Sequence, residues 1–216
     1  MDFQEVVKNR HSARSFTDQA IEKEKLEELI SLAQWVPSWC NTQAWKVYIA
    51  TGDTLEAIRK DHMESYMNEV PSNAVWPTPS RSSFKGQVAK NMQDFYTEVG
   101  TVLKGDMEAF AKASASLFNA QAIAYLAIPK DSTPWTYYDL GGLGTALVLN
   151  AANLGIDSLP AYEFVKYPDH LKKFLNVDPD YDIVMGIGLG YADQNAVINQ
   201  ARSARQPLED FLTIQD

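Results

Sequence analysis

The stretches RHSARSF (residues 10–16) and PSWCNTQAW (residues 37–45) decide how this chain of 216 residues is interpreted. Each lies at a helix boundary predicted from the spacing of hydrophobic residues. The first stretch alternates guanidinium, imidazole and hydroxyl side chains. This mixture suits a phosphate group, because guanidinium forks, hydroxyls and free backbone N–H groups all donate hydrogen bonds to phosphate oxygens. The alternative interpretation is a solvated basic loop.

A second basic group lies near the other end of the chain, where Arg202 and Arg205 stand in an otherwise acidic sequence. The chain has 19 basic and 28 acidic residues and a formal charge of -9. Such a charge argues against non-specific binding to nucleic acid or to anionic membrane. Two separated basic groups could instead converge on one dianion. The residues predicted to form this phosphate site are Arg10, His11, Ser12, Arg14, Arg202 and Arg205.

The second stretch offers contacts suited to a polar heterocycle. Ser38 and Asn41 supply hydrogen-bond donors and acceptors, and Trp39 supplies a stacking surface. The alternative is an ordinary turn between a helix and a strand, with Trp45 in the core.

The cysteine count narrows the class of protein. With Cys40 as its single cysteine, the chain has no internal disulfide, and a four-ligand Cys/His metal cage is excluded. The N-terminus lacks the apolar segment of a signal peptide, and no apolar run is long enough to span a bilayer. We therefore expect a cytoplasmic protein with neither a metal site nor a membrane partner.

Hydrophobic periodicity predicts an alternation of helices and strands within a single domain over residues 1–216. The predicted helices cover residues 3–8, 21–36, 62–69, 95–117, 136–154 and 169–175, and the predicted strands cover residues 45–51, 120–128, 157–161 and 181–189. Thr17 or Asp18 is expected to cap the second helix, and Gly52 with Asp53 to form a turn. Residues 70–84, rich in Pro, Ser and Trp, are a candidate lid. Residues from about 192 to 216 suit an arm lying on another surface.

Two other chemical interpretations of the sequence are possible. Gly186, Gly188 and Gly190 superficially match a dinucleotide-binding fingerprint, but the remaining chain cannot supply the helix and acidic residue that this fold requires. Cys40 could act as a nucleophile only with a positioned histidine, and no histidine lies in a hydrolase motif. Gly141, Gly142 and Gly144 favour close helix packing, which a dimer interface would explain.

The two opening stretches, in this order, resemble the N-terminal signature of the nitroreductase family. That signature is an Arg-x-Ser-x-Arg/Lys segment followed by a Pro-Ser-Ser-x-Asn-x-Gln-Pro-Trp segment. Three further stretches match in order: FNAQAIAYLAI (118–128), DLGGLGTALVLNAANLGIDSLP (139–160) and GIGLGYADQNAVINQARSARQPLEDFL (186–212). The resemblance is weakest over residues 55–118. The sequence departs from the family pattern at Trp39, Ala44 and Ser203.

The resemblance implies an α+β fold with a central, mainly antiparallel sheet flanked by helices. It also implies an intertwined homodimer with a C-terminal arm, FMN as cofactor, and NADH or NADPH as reductant. Arg10, Ser12, Arg14 and Arg205 would hold the FMN phosphate and ribityl chain, and Arg202 would assist. Ser38, Trp39 and Asn41 would reach the flavin of the partner subunit. Backbone groups around Pro160, Ala161, Tyr162 and Glu163 would face flavin N5.

The activity implied by the resemblance is ping-pong reduction of nitroaromatics or quinones. Hydride would pass from the nicotinamide to flavin N5, so no catalytic side chain is required. Trp39, Trp76, Phe84 and Phe95 are candidate stacking or lid residues. The alternatives are reduction of another oxidised substrate, such as an enone or a halogenated phenol, and a non-catalytic flavin-binding protein.

Overall fold

The computed structural model describes residues 2–215, and its helices and single sheet confirm the predicted α+β fold class. The helices are α1 (Phe3–Asn9), α2 (Lys23–Ala33), α3 (Gly52–Met67), α4 (Gly86–Val102), α5 (Met107–Ala115), α6 (Pro134–Asn153) and α7 (Pro168–Leu171). The strands are β1 (Lys46–Thr51), β2 (Ala122–Pro129), β3 (Asp157–Pro160) and β4 (Tyr181–Gly190). In this part of the chain, no helix is long and apolar enough to cross a membrane.

The four strands form one sheet in the order β1-β2-β4-β3. Every neighbouring pair is antiparallel, as predicted. Strand β2 lies in the interior of the sheet, where Tyr125 is opposite Tyr48 of β1 and Gly186 of β4. β3 forms one edge of the sheet, and the loop around Ser12 pairs with β3 at this edge.

Both faces of the sheet are covered, which explains the uninterrupted apolar sequence of β2. Successive strand residues point to opposite faces. Ile123 and Tyr125 accordingly belong to a core with Phe164. Ala124 and Leu126 belong to a second core, formed with apolar residues of α2 and α6. The hydroxyl of Tyr125 has no hydrogen-bond partner among the described residues.

The glycines of β4 make room for aromatic rings. A Cβ on Gly186 would lie 2.4 Å from Cβ of Phe164, and a Cβ on Gly188 would lie 2.5 Å from the tip of the same ring. A Cβ on Gly190 would lie 2.7 Å from the ring of Phe16. These glycines therefore allow close side-chain packing within a strand, which agrees with rejecting the dinucleotide-binding interpretation.

The predicted cap of α2 is wrong. The helix begins at Lys23, two residues after the predicted start at residue 21, and its N-cap is Glu22, not Thr17 or Asp18. Residues before it are held extended, because Phe16 pairs with Ala192 and the N–H of Thr17 donates to the carbonyl of Tyr191 at 2.8 Å. The chain has to run along the end of β4 before it can turn into a helix.

Two predictions in the middle of the chain are also wrong. Gly52 and Asp53 are the first residues of α3 and not a separate turn, so the helix predicted over residues 62–69 covers Gly52–Met67; Gly52 enters it with a φ of +51°. The single helix expected over residues 95–117 is two helices, α4 and α5. Lys104 and Gly105 separate them with φ values of 51° and 86°.

The C-terminal segment beyond β4 contains two short 3₁₀ turns, Val197–Gln200 and Leu208–Asp210, and no longer helix or strand within the described residues. Its last part exposes large apolar side chains to solvent: Leu208, Phe211, Leu212 and Ile214. The arm predicted for residues from about 192 to 216 stays a prediction.

Candidate functional site

The predicted phosphate residues come together in one cavity of about 680 Å³. Its lining contains Arg10, His11, Ser12, Arg14, Arg202 and Arg205, together with Lys8 and Ser203. The two basic groups, which lie near opposite ends of the sequence, thus face the same space.

The N-terminal half of this arginine cavity is fixed by β3. Ser12 forms a parallel bridge with Ser158, and the N–H of Ala13 donates to the carbonyl of Ser158 at 3.1 Å. Ser158 and Ala13 are both buried. Because the backbone of this loop is tied to the edge of the sheet, the neighbouring arginines project from a rigid base.

The C-terminal half is fixed by Asn199, a residue that the sequence analysis did not select. Its Oδ1 accepts the N–H of Arg14 at 2.6 Å and that of Ser15 at 3.2 Å. Its Nδ2 donates to the carbonyls of Ser15 at 2.7 Å and Asp193 at 3.0 Å. The side chain is only 7% exposed. Asn199 therefore joins the two chain segments that carry the arginines.

The cavity concentrates positive charge. Burial, and then the charge of Arg205, lower the pKa of Arg10 below its usual value. Burial, and then the charge of Arg202, lower the pKa of Arg14 in the same way. None of the ion pairs within residues 2–215 involves these four side chains. The arginines repel one another, and a bound anion would relieve that repulsion.

Helix α4 covers part of the same site. The guanidinium of Arg14 lies over the ring of Phe95, 5.1 Å from its centroid, in a cation–π contact. The same guanidinium donates to the carbonyl of Ser12 at 3.1 Å. Phe95, predicted as a stacking or lid residue, is thus placed against an arginine of the cavity.

The turn containing Ser38, Trp39 and Asn41 is held in a strained shape. Cys40, Asn41 and Gln43 have φ values of 46°, 57° and 46°, a left-handed conformation that costs energy for residues other than glycine. The hydroxyl of Ser38 accepts the N–H of Gln43 at 3.0 Å. A shape of this cost persists only when neighbouring contacts impose it.

Asp139 of α6 supplies one such contact, and the sequence analysis missed it. Its Oδ2 accepts the N–H of Trp39 at 2.9 Å, and the residue is only 5% exposed. The side chain of Trp39 is 54% exposed. This turn contributes no residue to the lining of the arginine cavity, so the described chain does not bring the two predicted groups together.

The predicted N5-facing segment forms a 3₁₀ turn over Tyr162–Val165 at the edge of the sheet. The N–H of Ala161 donates to the carbonyl of Gly186 at 3.1 Å. The carboxylate of Glu163 binds His62 at 3.1 Å and Lys166 at 3.3 Å. Burial alone would raise the pKa of Glu163, but these two partners lower it below its ordinary value. The side chain of Glu163 is therefore held inward as a carboxylate.

The candidate lid is attached to this turn. The carbonyl of Lys166 accepts both the hydroxyl of Ser72 at 3.1 Å and the N–H of Asn73 at 3.2 Å. Further along, Trp76 packs edge-on against Tyr137 of α6, with ring centroids 5.4 Å apart. Phe84, the remaining predicted lid aromatic, is half-buried. The loop is docked at both of these points.

A Ser/His/Asp cluster nearby does not form a hydrolytic triad. Asp61 and Ser65 both contact Nδ1 of His170, at 2.6 Å and 3.3 Å, whereas a triad needs its serine and its acid on opposite ring nitrogens. Over residues 2–215, Cys40 makes no hydrogen bond to a histidine. Residues 2–215 also contain no group of three or more His, Cys, Asp or Glu side chains that could hold a metal ion.

The fold and the site define an α+β protein with a strongly cationic cavity at one edge of an antiparallel sheet. The model of the family described as the Nitroreductase family matches residues 7–191, and the chain belongs to this family. The match spans the arginine loop, the strained turn and the whole sheet, and it ends just beyond β4.

Individual relatives agree with this assignment. The chain is 26% identical over 220 residues to a 4-nitrobenzoate reductase of Pseudomonas putida, covering 97% of this chain and 94% of the relative. It is 24% identical over 219 residues to a chloronitrobenzene nitroreductase of Comamonas testosteroni, covering 97% and 95%. The fold matches the crystal structure of the FMN-dependent nitroreductase NfnB from Mycobacterium smegmatis in complex with NADPH. That match has a TM-score of 0.91 at 24% identity and covers 99% of this chain and 97% of the other.

Proposed function

We propose that this protein is an FMN-dependent NAD(P)H oxidoreductase that reduces nitroaromatics or quinones in the cytoplasm. The observation that carries the proposal is the convergence of Arg10, Arg14, Arg202 and Arg205 on one cavity. Four guanidinium groups without acidic partners in the described chain suit a dianionic phosphate monoester better than a neutral ligand.

The cavity fits the FMN phosphate by its chemistry. Ser12 adds a hydroxyl next to the guanidinium groups, and the arginine pairs already carry an electrostatic penalty that a dianion removes. The like-charge repulsion argues for a ligand, because a solvated basic loop would spread its charges apart. Arg10, His11, Ser12, Arg14, Arg202 and Arg205 are therefore the proposed phosphate and ribityl residues.

We further propose that the working form is a homodimer. Ser38, Trp39 and Asn41 lie outside the arginine cavity of their own chain, which agrees with a role at the site of a partner. Exposed apolar side chains in the arm and on α6, such as Phe211 and Tyr138, would be covered by the same association. Each site would then be completed by two chains.

In this proposal the protein orients the reactants and the bound cofactor supplies the redox chemistry. FMN, when bound, would accept a hydride from NADH or NADPH and later deliver two electrons to the substrate. The arginines would anchor the phosphate, Trp39 would limit the space beside the ring, and the backbone at Tyr162 and Glu163 would face N5. The proton needed by the substrate could come from water.

Nitroaromatics are the first substrates to test, because the two relatives reported above are named for the reduction of nitrobenzoate and chloronitrobenzene. A flat aromatic substrate also suits a site bordered by exposed Trp39. Quinones share this flat shape and the need for two electrons.

The test is direct. Purified protein should be yellow, and anaerobic NADH or NADPH should bleach it; addition of 4-nitrobenzoate or a benzoquinone should restore the colour. Colourless protein that takes up no added FMN would overturn the proposal. Colour that nicotinamide does not bleach would identify a non-catalytic flavin-binding protein. Bleached protein that only an enone or a halogenated phenol reoxidises would correct the substrate class.

A further inference from the structure

His62 lies behind the turn that carries Glu163. It is only 6% exposed, and its Nε2 lies 3.1 Å from Oε1 of Glu163. Lys166 donates to the same carboxylate oxygen at 3.3 Å. A buried carboxylate that loses a hydrogen-bond partner is strongly destabilised. The position of the Glu163 side chain therefore depends on His62.

Two other hydrogen bonds of this segment lead to a surface loop. Tyr162 donates its hydroxyl to Ser72, and Tyr167 donates its hydroxyl to the carbonyl of Val70 at 3.2 Å. Ser72 is exposed and belongs to the candidate lid. His62, by contrast, projects from the 16-residue helix α3, which packs on the core through Leu55 and Ile58. The N–H of Ala161 and the ring of Phe164 hold the two ends of the turn on β4, whereas the link through His62 ties the side chain of Glu163 to α3.

We propose that His62 is a positioning residue for the reaction: by holding the Glu163 carboxylate, it fixes the backbone of residues 162 and 163 against the reacting edge of the flavin. This inference rests on the proposed function, which places FMN at that backbone. His62 would act on hydride transfer without contacting the cofactor and without contributing to the phosphate grip of the arginine cavity.

His170 provides a matched control. Its ring stacks on Tyr167, with centroids 5.6 Å apart and planes at 30°, and its Nδ1 binds Asp61 at 2.6 Å. His62 packs on the same tyrosine at 5.3 Å. Both histidines thus pack on the ring of Tyr167, and each pairs with a carboxylate of its own. His62 pairs with Glu163, whereas His170 pairs with Asp61.

The experiment compares His62→Phe, His62→Gln and His170→Phe in the FMN-loaded protein. The phenylalanine keeps the ring packing and removes the donor, whereas the glutamine keeps a donor. For each variant we would measure the dissociation constant of FMN, the midpoint potential of bound FMN, and the rate of anaerobic bleaching against NADPH concentration. If His62→Phe does not fold, Glu163→Ala removes the same hydrogen bond from the other side and takes its place.

The expected result is a bleaching rate about 10- to 100-fold lower in His62→Phe, since small misplacements of a reacting group have effects of this size. Its midpoint potential should shift, while its FMN dissociation constant should change much less than its rate. His62→Gln should recover most of the rate, and His170→Phe should keep wild-type potential and rate even if its melting temperature falls.

The inference is overturned if His62→Phe and His170→Phe change rate and potential equally, or if His62→Gln is as impaired as His62→Phe. Either result would leave the proposed function standing, because wild-type protein would still bind FMN and be bleached. Wild-type protein that binds no FMN would instead overturn the proposed function, and the inference with it.

Discussion

The side chain of Asn199 and the backbone of Arg14 are joined by a 2.6 Å hydrogen bond that spans 185 residues of sequence. Asn199→Ala should therefore destabilise the fold by about 1–3 kcal/mol, because buried backbone groups lose their partner. FMN affinity should fall as well, since the two arginine segments are no longer held together. Thermal unfolding and FMN titration measure the two effects. Asn195→Ala, at an exposed neighbouring position, is the control and should change neither.

The phosphate role of Arg10 and Arg205 is tested by their separate replacement with alanine. Each lost charge-assisted contact should weaken FMN binding by about 1.5–3 kcal/mol, or roughly 10- to 100-fold. The protein without FMN should keep its stability, because like-charge repulsion is removed along with the contact. Lys112→Ala, in an exposed ion pair on α5, is the control. Flavin retained as tightly as in wild type would refute the role of that arginine.

Asp139 is expected to control the shape of the turn at Trp39. Asp139→Ala removes the acceptor of the Trp39 N–H and should cost about 1–2 kcal/mol of stability. The freed turn can relax its left-handed residues, so the relative rates for small and large nitroaromatics should change. Asp139→Asn keeps an acceptor oxygen and should restore both properties. A substrate profile unchanged in Asp139→Ala would separate this turn from substrate selection.

Gly186 is expected to be intolerant of any side chain. Its Cβ would lie 2.4 Å from Cβ of Phe164, so Gly186→Ala should lower the free energy of unfolding by about 1–3 kcal/mol or more. Urea denaturation measures this change. Gly100→Ala is the control, because a Cβ there meets nothing within 4 Å in helix α4. Equal stability of both variants would contradict the packing described for β4.

Gly141 tests the proposed dimer. Within one chain a Cβ at Gly141 meets nothing within 4 Å, so Gly141→Ala should stabilise an isolated subunit by up to about 1 kcal/mol through helix propensity. If α6 packs closely on a partner, the same change should weaken self-association. Sedimentation over a concentration series measures it. Dimerisation unaffected by the alanine would place the interface elsewhere.

The fold could be predicted from the sequence wherever burial is continuous. β2, β4 and α6 carry long apolar runs, and both ends of each agree with the prediction to within two residues. The break at Lys104 and Gly105 was missed, because the helical pattern continues on both sides of it. This break, the cap of α2 and the start of α3 all depend on local turn geometry, which hydrophobic spacing does not predict.

The site could be predicted by residue type but not by its supporting contacts. Guanidinium groups indicate an anion-binding site, and this is why the sequence predicts Arg10 and Arg205 as phosphate ligands. Asn199 and Asp139 are ordinary polar residues in the sequence. Their partners lie 185 and 100 positions away, a separation that only the folded chain closes.

The two parts of the loop over residues 70–84 differ in how strongly contacts with the carbonyl of Lys166 constrain their sequence. Ser72 and Asn73 both donate hydrogen bonds to this oxygen, so the first residues of the loop are held against the turn that ends at Lys166. Residues 77–80, which follow the Trp76 contact, make no hydrogen bond to this carbonyl within the described residues. Substitutions or insertions at residues 77–80 are therefore expected to leave the turn beside Lys166 unchanged.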